Sequence, residues 1–392
     1  MKRAFTALLA ALLLAPGSAF AAPEASFEVS GWMPYWTVAK GVRSARAHME
    51  SLDAVQPFVY AVQPDGSIKD LGGMTKSTWK RLLREAKKEG VRVTPTVMWS
   101  DGASIHTVLS DPTLRKKHIE AIVDIVEDRG YDGIDIDYEG KRAETRPYYS
   151  LFLKELDAAL GSKFLACTTE ARTPLDSLYT VVPAKIEYAN DYVEINKYCD
   201  RVYLMTYDQQ RADIKLNKAR LGLPYYPVAD PEWIRKVVNL AAQTIDKDKI
   251  VLGIATYGRE VQVTASPQSF SGYNQLWSVN GDYPEDTADD ADVKPSRNAA
   301  GELSFTYIPE DSSVSIPRSV KAPAGTPSGM ETAARALAYA NQTGRSVTFN
   351  LVWWSDAESV RQKTALAKEL GLRGVSIFKI DGAEDKDIWK LF

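Results

Sequence analysis

Short apolar runs alternate with longer amphipathic segments along the chain, and the alternation repeats about eight times after the first 21 residues. The short runs are rich in β-branched and aromatic residues, which favour strands, and the longer segments carry apolar residues at helical spacing. The predicted strands are Phe27–Trp36, Ala54–Val62, Val91–Met98, Gly133–Tyr138, Phe164–Thr169, Arg201–Tyr207, Ile250–Thr256 and Val375–Ile380. The predicted helices include Ser77–Glu89, Asp111–Arg129, Arg146–Leu160, Pro231–Thr244 and Ala357–Leu370. Strands that alternate with helices predict a parallel sheet joined by crossover helices.

Eight strand–helix units in 392 residues predict an α/β fold, a (β/α)8 TIM barrel. A doubly wound open sheet is the alternative, but no Gly-x-Gly-x-x-Gly turn follows the first predicted strand. Residues 261–345 interrupt the rhythm between the seventh strand and the last helix, and they are rich in Ser, Pro, Asp and Gly. Because this interval also carries enough aromatic residues for a small core, we predict an inserted α+β subdomain on the catalytic face rather than a flexible linker.

The N-terminus has the three-part pattern of a signal peptide. Met1-Lys2-Arg3 is basic, Ala4 to Leu14 is apolar, and Ala19-Phe20-Ala21 supplies small residues for cleavage. The alternative is an uncleaved membrane anchor, but the apolar run is too short to cross ~30 Å of hydrocarbon. We therefore expect residues 1–21 to be removed and residues 22–392 to be exported, to the periplasm or the extracellular space, without membrane insertion.

The composition and charge of the chain argue against several classes of partner and active site. The 48 basic and 51 acidic residues give a net charge of −3, so a nucleic-acid partner has no electrostatic support. His48, His106 and His118 are scattered, which argues against a zinc site and against histidine-based nucleophilic catalysis. Cys167 and Cys199 are the only cysteines; export permits a disulfide, but we favour two buried thiols. We expect no metal or organic cofactor, and a monomer.

Three acids recur at every second position near the middle of the chain. Because side chains alternate along a strand, Asp135, Asp137 and Glu139 share one face. Neighbouring acids about 7 Å apart raise the pKa of at least one carboxyl, and such an acid can act as a general acid near neutral pH. Glu139, nearest the C-terminal end of the strand, is the candidate proton donor.

Two other interpretations of these acids remain. They could form the solvated face of an exposed strand, or they could bind calcium. The calcium interpretation is weaker, because the intervening Ile residues and the missing Gly at the sixth position do not match an EF-hand loop.

The segment Tyr131–Glu139 resembles the Asp-x-x-Asp-x-Asp-x-Glu signature of family 18 glycoside hydrolases, the chitinase family. Asp132 occupies its first acidic position, ahead of the three acids already named. Met205-Thr206-Tyr207-Asp208 is similar to the family's Met-x-Tyr-Asp strand, and Gly253–Arg259 is similar to its Gly-x-x-x-Tyr-Gly-Arg strand. The motifs occur in the family's order, and the resemblance covers nearly the whole chain after the leader. It implies a (β/α)8 barrel with an α+β insertion after the seventh strand.

The resemblance also implies a retaining mechanism in which the substrate's own 2-acetamido oxygen attacks the anomeric carbon. Glu139 would protonate the leaving oxygen, and water would later open the oxazolinium. Asp137 would orient the acetamido group, Asp135 would share charge with Asp137, and Tyr207 would hydrogen-bond the acetamido carbonyl. The substrate is then a β-1,4-linked glycan that contains N-acetylglucosamine.

Substrate-binding residues follow from the same resemblance. Asp208 and Met205 would contact the sugar, and Phe378 stands where the family commonly has a Trp beneath the cleaved sugar. The smaller Phe ring could alter the pocket or weaken activity. Further aromatic residues near predicted strand ends could stack on sugar rings: Trp32, Tyr35, Phe58, Tyr60 and Trp99.

Within the family, the segments Gln56–Tyr60, Pro64–Gly66 and Asp381–Trp389 look closer to the bacterial cell-wall and spore-lytic branch. The favoured substrate is therefore peptidoglycan, with chitin oligosaccharides second. A non-hydrolytic sugar-binding protein on the same barrel is the alternative from another class, although such relatives typically lose the acid at the position of Glu139. Transglycosylation and the hydrolysis of N-linked glycan cores use the same chemistry and stay open.

Overall fold

The computed structural model describes residues 26–392, so the predicted leader, residues 1–21, lies outside the described part. The strands of the described part are β1 Glu28–Pro34, β2 Ala54–Val62, β3 Ile68–Asp70, β4 Arg92–Val93, β5 Thr96–Trp99, β6 Gly133–Tyr138, β7 Phe164–Glu170, β8 Arg201–Met205, β9 Ile250–Ala255, β10 Gly258–Ser266, β11 Ser269–Val279, β12 Ser296–Arg297, β13 Leu303–Tyr307, β14 Val347–Trp354 and β15 Gly374–Phe378. Its α-helices are α1 Val38–Ala47, α2 Ser77–Glu89, α3 Gly102–Ser110, α4 Pro112–Arg129, α5 Arg146–Leu160, α6 Tyr192–Tyr198, α7 Ile214–Ala219, α8 Pro231–Ala241, α9 Tyr283–Asp290, α10 Glu331–Thr343 and α11 Ala357–Glu369.

Parallel strands close into a barrel. β1 pairs with both β2 and β15, and the remaining order is β15-β9-β8-β7-β6-β5-β2. The predicted (β/α)8 barrel is confirmed. The third predicted strand forms two short pieces, β4 and β5, which both pair with β2. Pro95 lies between them, and a proline has no backbone N–H to donate to a neighbouring strand.

Helix boundaries follow local capping chemistry. The carboxylate of Asp111 accepts the backbone N–H groups of Thr113 and Leu114, with Pro112 in the first turn of α4. Gly130 ends the same helix at a φ of 64°, a left-handed conformation that glycine adopts without a steric penalty. These local signals explain why the predicted and observed bounds of α4 differ by one residue.

The two faces of β6 lie in different environments. All six residues of β6 are buried, so the strand is not a solvated edge. On the outer face, Tyr138 packs against Phe152 of α5 and its hydroxyl contacts the ring of His118. Burial lowers the pKa of His118 to about 4, so this histidine is neutral and structural near pH 7. The acidic face of β6 therefore points into the barrel.

Ion pairs close the N-terminal end of the barrel. Glu28 is buried and lies 2.8 Å from Arg92, 3.0 Å from Arg201 and 3.5 Å from Arg373. Burial alone would raise the pKa of Glu28, but Arg92 and Arg201 outweigh it, so the pKa falls below its ordinary value. This end of the barrel is closed by structural charges, and the opposite end remains for chemistry.

A second, antiparallel sheet follows β9, in the order β11-β10-β14-β13-β12. It runs from Gly258 to Trp354 and therefore extends beyond residues 261–345 on both sides. The buried carboxylate of Glu302 attaches the sheet to the barrel, because it accepts N–H groups from the loop before α8 and from Lys363 of α11. Its donors are the backbones of Val228 and Ala229, the indole of Trp353 and the ammonium of Lys363.

The prediction of two free thiols is wrong. Cys167 of β7 and Cys199, just before β8, form a disulfide with their Cα atoms 6.0 Å apart. β7 and β8 are adjacent parallel strands, so the intervening chain returns Cys199 to the neighbour of the strand that carries Cys167. The sequence alone does not display this proximity, because 32 residues separate the two cysteines.

We predict that the double variant Cys167→Ala/Cys199→Ala unfolds more easily than the oxidised protein. Opening a loop closed over 32 residues should lower the free energy of unfolding by about 3–4 kcal/mol. Urea unfolding followed by circular dichroism measures the difference. Reductant should lower the wild-type midpoint and leave the double variant unchanged; a wild-type midpoint insensitive to reductant would contradict the assignment.

Candidate active site

A row of three acids rises from the barrel interior to its mouth. Asp135 and Asp137 lie on the inner face of β6, and Glu139 is the first residue after that strand. The backbone N–H of Glu139 donates to the carbonyl of Trp99 at 2.7 Å, which ties the start of the following loop to the end of β5. The predicted common face is therefore observed, and its last member lies where barrel enzymes hold their catalytic groups.

Asp135 lies at the bottom of this row and is fully hydrogen-bonded. Its carboxylate accepts from the indole of Trp32 at 3.1 Å, from Thr96 at 2.7 Å and from Thr168 at 2.8 Å. Burial raises the pKa of Asp135, and the three donors oppose that rise. Trp32 is only 1% exposed, so it forms part of the barrel interior rather than an open stacking surface.

Asp137 is 4% exposed, and its Oδ1 has no hydrogen-bond partner among residues 26–392. Its pKa lies well above the ordinary value because burial disfavours the charge, and because Glu139 and Asp135 add like charge. The raised pKa favours the protonated form of Asp137, which can donate a hydrogen bond.

Glu139 is partly buried at the mouth. Burial raises its pKa first, and the negative charges of Glu170 and Asp208 raise it further, whereas Lys141 opposes the shift. A carboxyl with a raised pKa retains its proton closer to neutral pH, as a general acid requires.

Tyr207 and Phe378 form the aromatic floor of the mouth. Their rings stack with centroids 5.3 Å apart and an interplanar angle of 14°. The rings of Trp32, Phe58 and Tyr257 meet Phe378 edge to face at 5.9, 6.2 and 6.1 Å. Burial raises the pKa of Tyr207 well above its ordinary value, so its hydroxyl is a neutral donor. Phe378 therefore lies at the centre of this floor.

Asp208 and Met205 flank the floor at the end of β8. Asp208 is exposed, adopts a left-handed φ of 56° and pairs with Arg259 at 2.5 Å. Met205 is the last residue of β8, is half-buried, and lies in register with Glu170 of β7. The arrangement brings the Met-x-Tyr-Asp and Tyr-Gly-Arg segments together beside the acids.

A cleft of about 410 Å³ opens beside Glu139. Three of the predicted aromatic residues, Tyr35, Phe58 and Trp99, line it. Tyr60 does not; it is buried, and its hydroxyl contacts Tyr131. The cleft also contains Leu71, Met98, Ser100, Asp101 and Ser104.

Sequence reasoning missed Trp36 as a candidate. This side chain is 51% exposed and meets Tyr35 and Phe58 edge to face, at 5.0 and 6.1 Å. Its place at the end of the first predicted strand was a usable signal, because strand ends at the carboxyl side form the mouth.

Lys141 and Glu170 were also missed. Lys141 is buried behind the Glu139 loop, and Glu170 ends β7 next to it, with the ammonium and carboxylate 3.6 Å apart. No motif marks either residue, and 29 positions separate them in the chain, so only the barrel brings them together.

The three histidines make separate contacts away from this row. His48 stacks on Trp389, and His106 contacts Thr145, whereas His118 is buried behind β6. Within residues 26–392, no group of three or more His, Cys, Asp or Glu side chains is arranged to hold a metal ion.

A sequence profile described as Glycosyl hydrolases family 18 matches residues 33–383. The chain belongs to this family. It is 24% identical to the uncharacterized glycosylase YvbX of Bacillus subtilis over 302 residues. The matched region spans 74% of this chain and 69% of YvbX. Family membership and such relatives identify the protein as a glycosidase of the chitinase-like group.

Two solved structures show the same fold. The spore cortex-lytic enzyme SleL of Bacillus cereus superposes with a TM-score of 0.67 at 21% identity, covering 94% of this chain and 74% of SleL. A class V chitinase of Pseudomonas fluorescens superposes with a TM-score of 0.67 at 21% identity, covering 93% and 98%. The predicted resemblance to family 18, with spore-lytic enzymes among its relatives, is confirmed.

We predict that Asp137→Asn stabilises the protein at neutral pH. The pKa of Asp137 is raised in the folded state, so its contribution to stability is present below the unfolded pKa and lost as pH rises towards the folded pKa. The variant should gain on the order of 1 kcal/mol at pH 7 and nothing at pH 3. Urea unfolding at both pH values measures this, with the exposed Asp248→Asn as control. An equal gain at pH 3 would contradict the pKa argument.

Proposed function

We propose that this family 18 glycosidase cleaves β-1,4 linkages that follow N-acetylglucosamine, by a retaining, substrate-assisted mechanism with Glu139 as general acid and base. The observation that carries the proposal is the row of Asp135, Asp137 and Glu139, which ends at the barrel mouth beside Tyr207. Chemistry at this mouth rests on carboxyl groups and a neutral phenol.

In the first step, the acetamido oxygen of the substrate bonds to the anomeric carbon. The bond between that carbon and the glycosidic oxygen breaks, and Glu139 transfers its proton to the departing oxygen. The raised pKa of Glu139 supplies that proton near neutral pH. In the second step, Glu139 accepts a proton from water as the water oxygen bonds to the anomeric carbon. The bond between that carbon and the acetamido oxygen breaks, which regenerates the acetamido group and restores the original anomeric configuration.

Asp137 and Tyr207 hold the acetamido group during both steps. The free Oδ1 of Asp137 suits a hydrogen bond with the amide N–H, which develops positive charge as the oxazolinium forms. Tyr207, kept neutral by its raised pKa, donates to the acetamido oxygen. Asp135, on the same face of β6 and held by its three donors, adds like charge to the burial that raises the pKa of Asp137.

The sugar itself lies on Phe378 and extends into the cleft lined by Tyr35, Phe58 and Trp99. Aromatic rings bind the apolar faces of pyranose rings, and the pocket carries three of them beside Glu139. Asp208 and Met205 contact the sugar from the end of β8.

The proposed substrate is the glycan strand of peptidoglycan, with chitin oligosaccharides second. The similarity to a spore cortex-lytic enzyme supports peptidoglycan as the substrate. The structural similarity to a chitinase is equal, and it supports chitin oligosaccharides as the second candidate. We also propose that residues 1–21 direct export and that the protein acts as a monomer. The buried disulfide fits an oxidising compartment, and no helix within residues 26–392 has the length and apolar character to cross a bilayer.

We predict that Glu139→Gln lowers turnover by about 10²–10⁴-fold, because glutamine cannot transfer the proton. Purified peptidoglycan and chitin oligosaccharides, incubated separately, are analysed by mass spectrometry for fragments that end in reducing N-acetylglucosamine. The fragments should appear with the wild type and be lost with the variant. Unchanged turnover in a variant with native circular dichroism would disprove the role of Glu139.

We predict that N-deacetylated chitin oligosaccharides of equal length are not cleaved, since they lack the internal nucleophile. Mixed substrates should be cut only where the sugar on the non-reducing side of the bond keeps its acetyl group. Sequencing of the fragments by tandem mass spectrometry locates the cut. Cleavage after a deacetylated sugar would argue for a protein nucleophile instead.

A further inference from the structure

Two side chains of opposite charge, Lys141 and Glu170, lie behind the loop that carries Glu139, and the mechanism above does not use them. The side chain of Lys141 is only 1% exposed, and its ammonium lies 3.6 Å from the carboxylate of Glu170. The Glu170 side chain is partly exposed, at 37%, so the desolvation cost falls mainly on the buried ammonium. Attraction to a single carboxylate often fails to recover such a cost, so this contact is weak support for a purely stabilising role.

Glu170 holds the backbone directly after Glu139. Its Oε1 accepts the N–H of Gly140 at 3.0 Å, and its Oε2 accepts the side-chain amide of Asn190 at 2.7 Å. Gly140 has a φ of 62°, a conformation that glycine adopts readily. Since Trp99 accepts the N–H of Glu139 itself, the backbone is fixed from β5 on one side and from β7 on the other.

Lys141 holds the same loop from below. Its ammonium donates to the carbonyl of Tyr138, the residue before Glu139, and lies 4.7 Å from the centre of the Tyr149 ring. Burial is the main influence on the pKa of Lys141 and lowers it, and Glu170, Asp137 and Glu139 partly restore the charged form. The ammonium of Lys141 therefore interacts electrostatically with the carboxyl groups of Glu170, Asp137 and Glu139.

We propose that Lys141 and Glu170 form a positioning pair for Glu139, fixing the backbone on both sides of it and setting the charge around its carboxyl. The inference rests on the proposed function, in which Glu139 moves the proton. Neither side chain is assigned a contact with the sugar.

The charged groups that face Glu139 come from four elements. Asp137 lies on its own strand, Glu170 ends β7, and Asp208 follows β8 with Arg259 paired behind it. Asp101, after β5, lines the same cleft. Lys141 lowers the pKa of both Asp137 and Glu139, whereas Glu170 raises the pKa of both.

Removing the charge of Glu170 and removing the charge of Lys141 should therefore shift the pH dependence of activity in opposite directions. Glu170→Gln keeps an oxygen acceptor for the Gly140 N–H but removes a negative charge, so the pKa of Glu139 should fall. The basic limb of the pH profile of kcat/KM then shifts to lower pH. Lys141→Met removes the positive charge and should shift the same limb to higher pH. The double variant should return the limb towards the wild-type position.

Glu170→Ala separates positioning from charge. It removes the same charge as Glu170→Gln and also the acceptor for Gly140, so its kcat should fall at least 10-fold further while KM changes little. Lys141→Gln, with a polar tip able to donate to Tyr138, serves as the second neutral variant if Lys141→Met does not fold. The exposed pair of Arg235 and Glu369 supplies the matched control, and Arg235→Gln should leave the profile unchanged.

Titration of the Glu139 carboxyl by ¹³C NMR, assigned with Glu139→Gln, reads its pKa without turnover. The proposal is supported if the pKa of Glu139 falls in Glu170→Gln and rises in Lys141→Met, and if kcat is lower in Glu170→Ala than in Glu170→Gln. Shifts in the same direction, absent shifts, or equal kcat in Glu170→Ala and Glu170→Gln would overturn it. If the wild type cleaves neither glycan but the carboxyl still titrates as described, the proposed function fails while the pair stands.

Discussion

The burial of two carboxyl groups inside one parallel barrel is the constraint around which this structure is arranged. Parallel sheets normally bury apolar faces on both sides, so Asp135 and Asp137 carry a desolvation cost that the fold must offset. Hydrogen bonds from the adjacent strands β5 and β7 and from Trp32 of β1 satisfy Asp135. Asp137, with a free oxygen and a raised pKa, avoids the cost by keeping its proton. The desolvation cost is thus offset by hydrogen bonds at Asp135 and by a raised pKa at Asp137.

Aromatic side chains surround the acids at the mouth of the barrel. Tyr207 and Phe378 form a stacked pair at the mouth, and the rings of Trp32 in β1, Phe58 in β2 and Tyr257 just after β9 meet Phe378 edge to face. A Phe here presents less area to a sugar than the Trp common in the family, but edge-to-face neighbours hold it rigidly. The adjoining cleft, lined by Tyr35 and Phe58, and the exposed Trp36 that packs against both rings supply stacking area that the floor alone does not.

Two charged contacts connect the second sheet to the barrel. Glu302 is fully buried, and its partners belong to the barrel as well as to the insertion. Arg259, at the start of this sheet, pairs with Asp208 beside the acids. The insertion is therefore connected to the site by charge at two places, one structural and one at the mouth.

The amino-acid sequence alone predicted the eight barrel strands, the bounds of four of five proposed helices to within one residue, and the common face of the acids. These features follow from alternation and capping, which are local properties of neighbouring residues. The sequence also placed Glu139 at the end of its strand and identified the family. Only the tertiary structure decided that Cys167 pairs with Cys199, that Trp32 turns inward to Asp135, and that Tyr60 leaves the cleft. The pairing of Lys141 with Glu170 belongs to the same group. These contacts join different strands, and closure of the barrel, rather than any spacing along the chain, sets the distances between them.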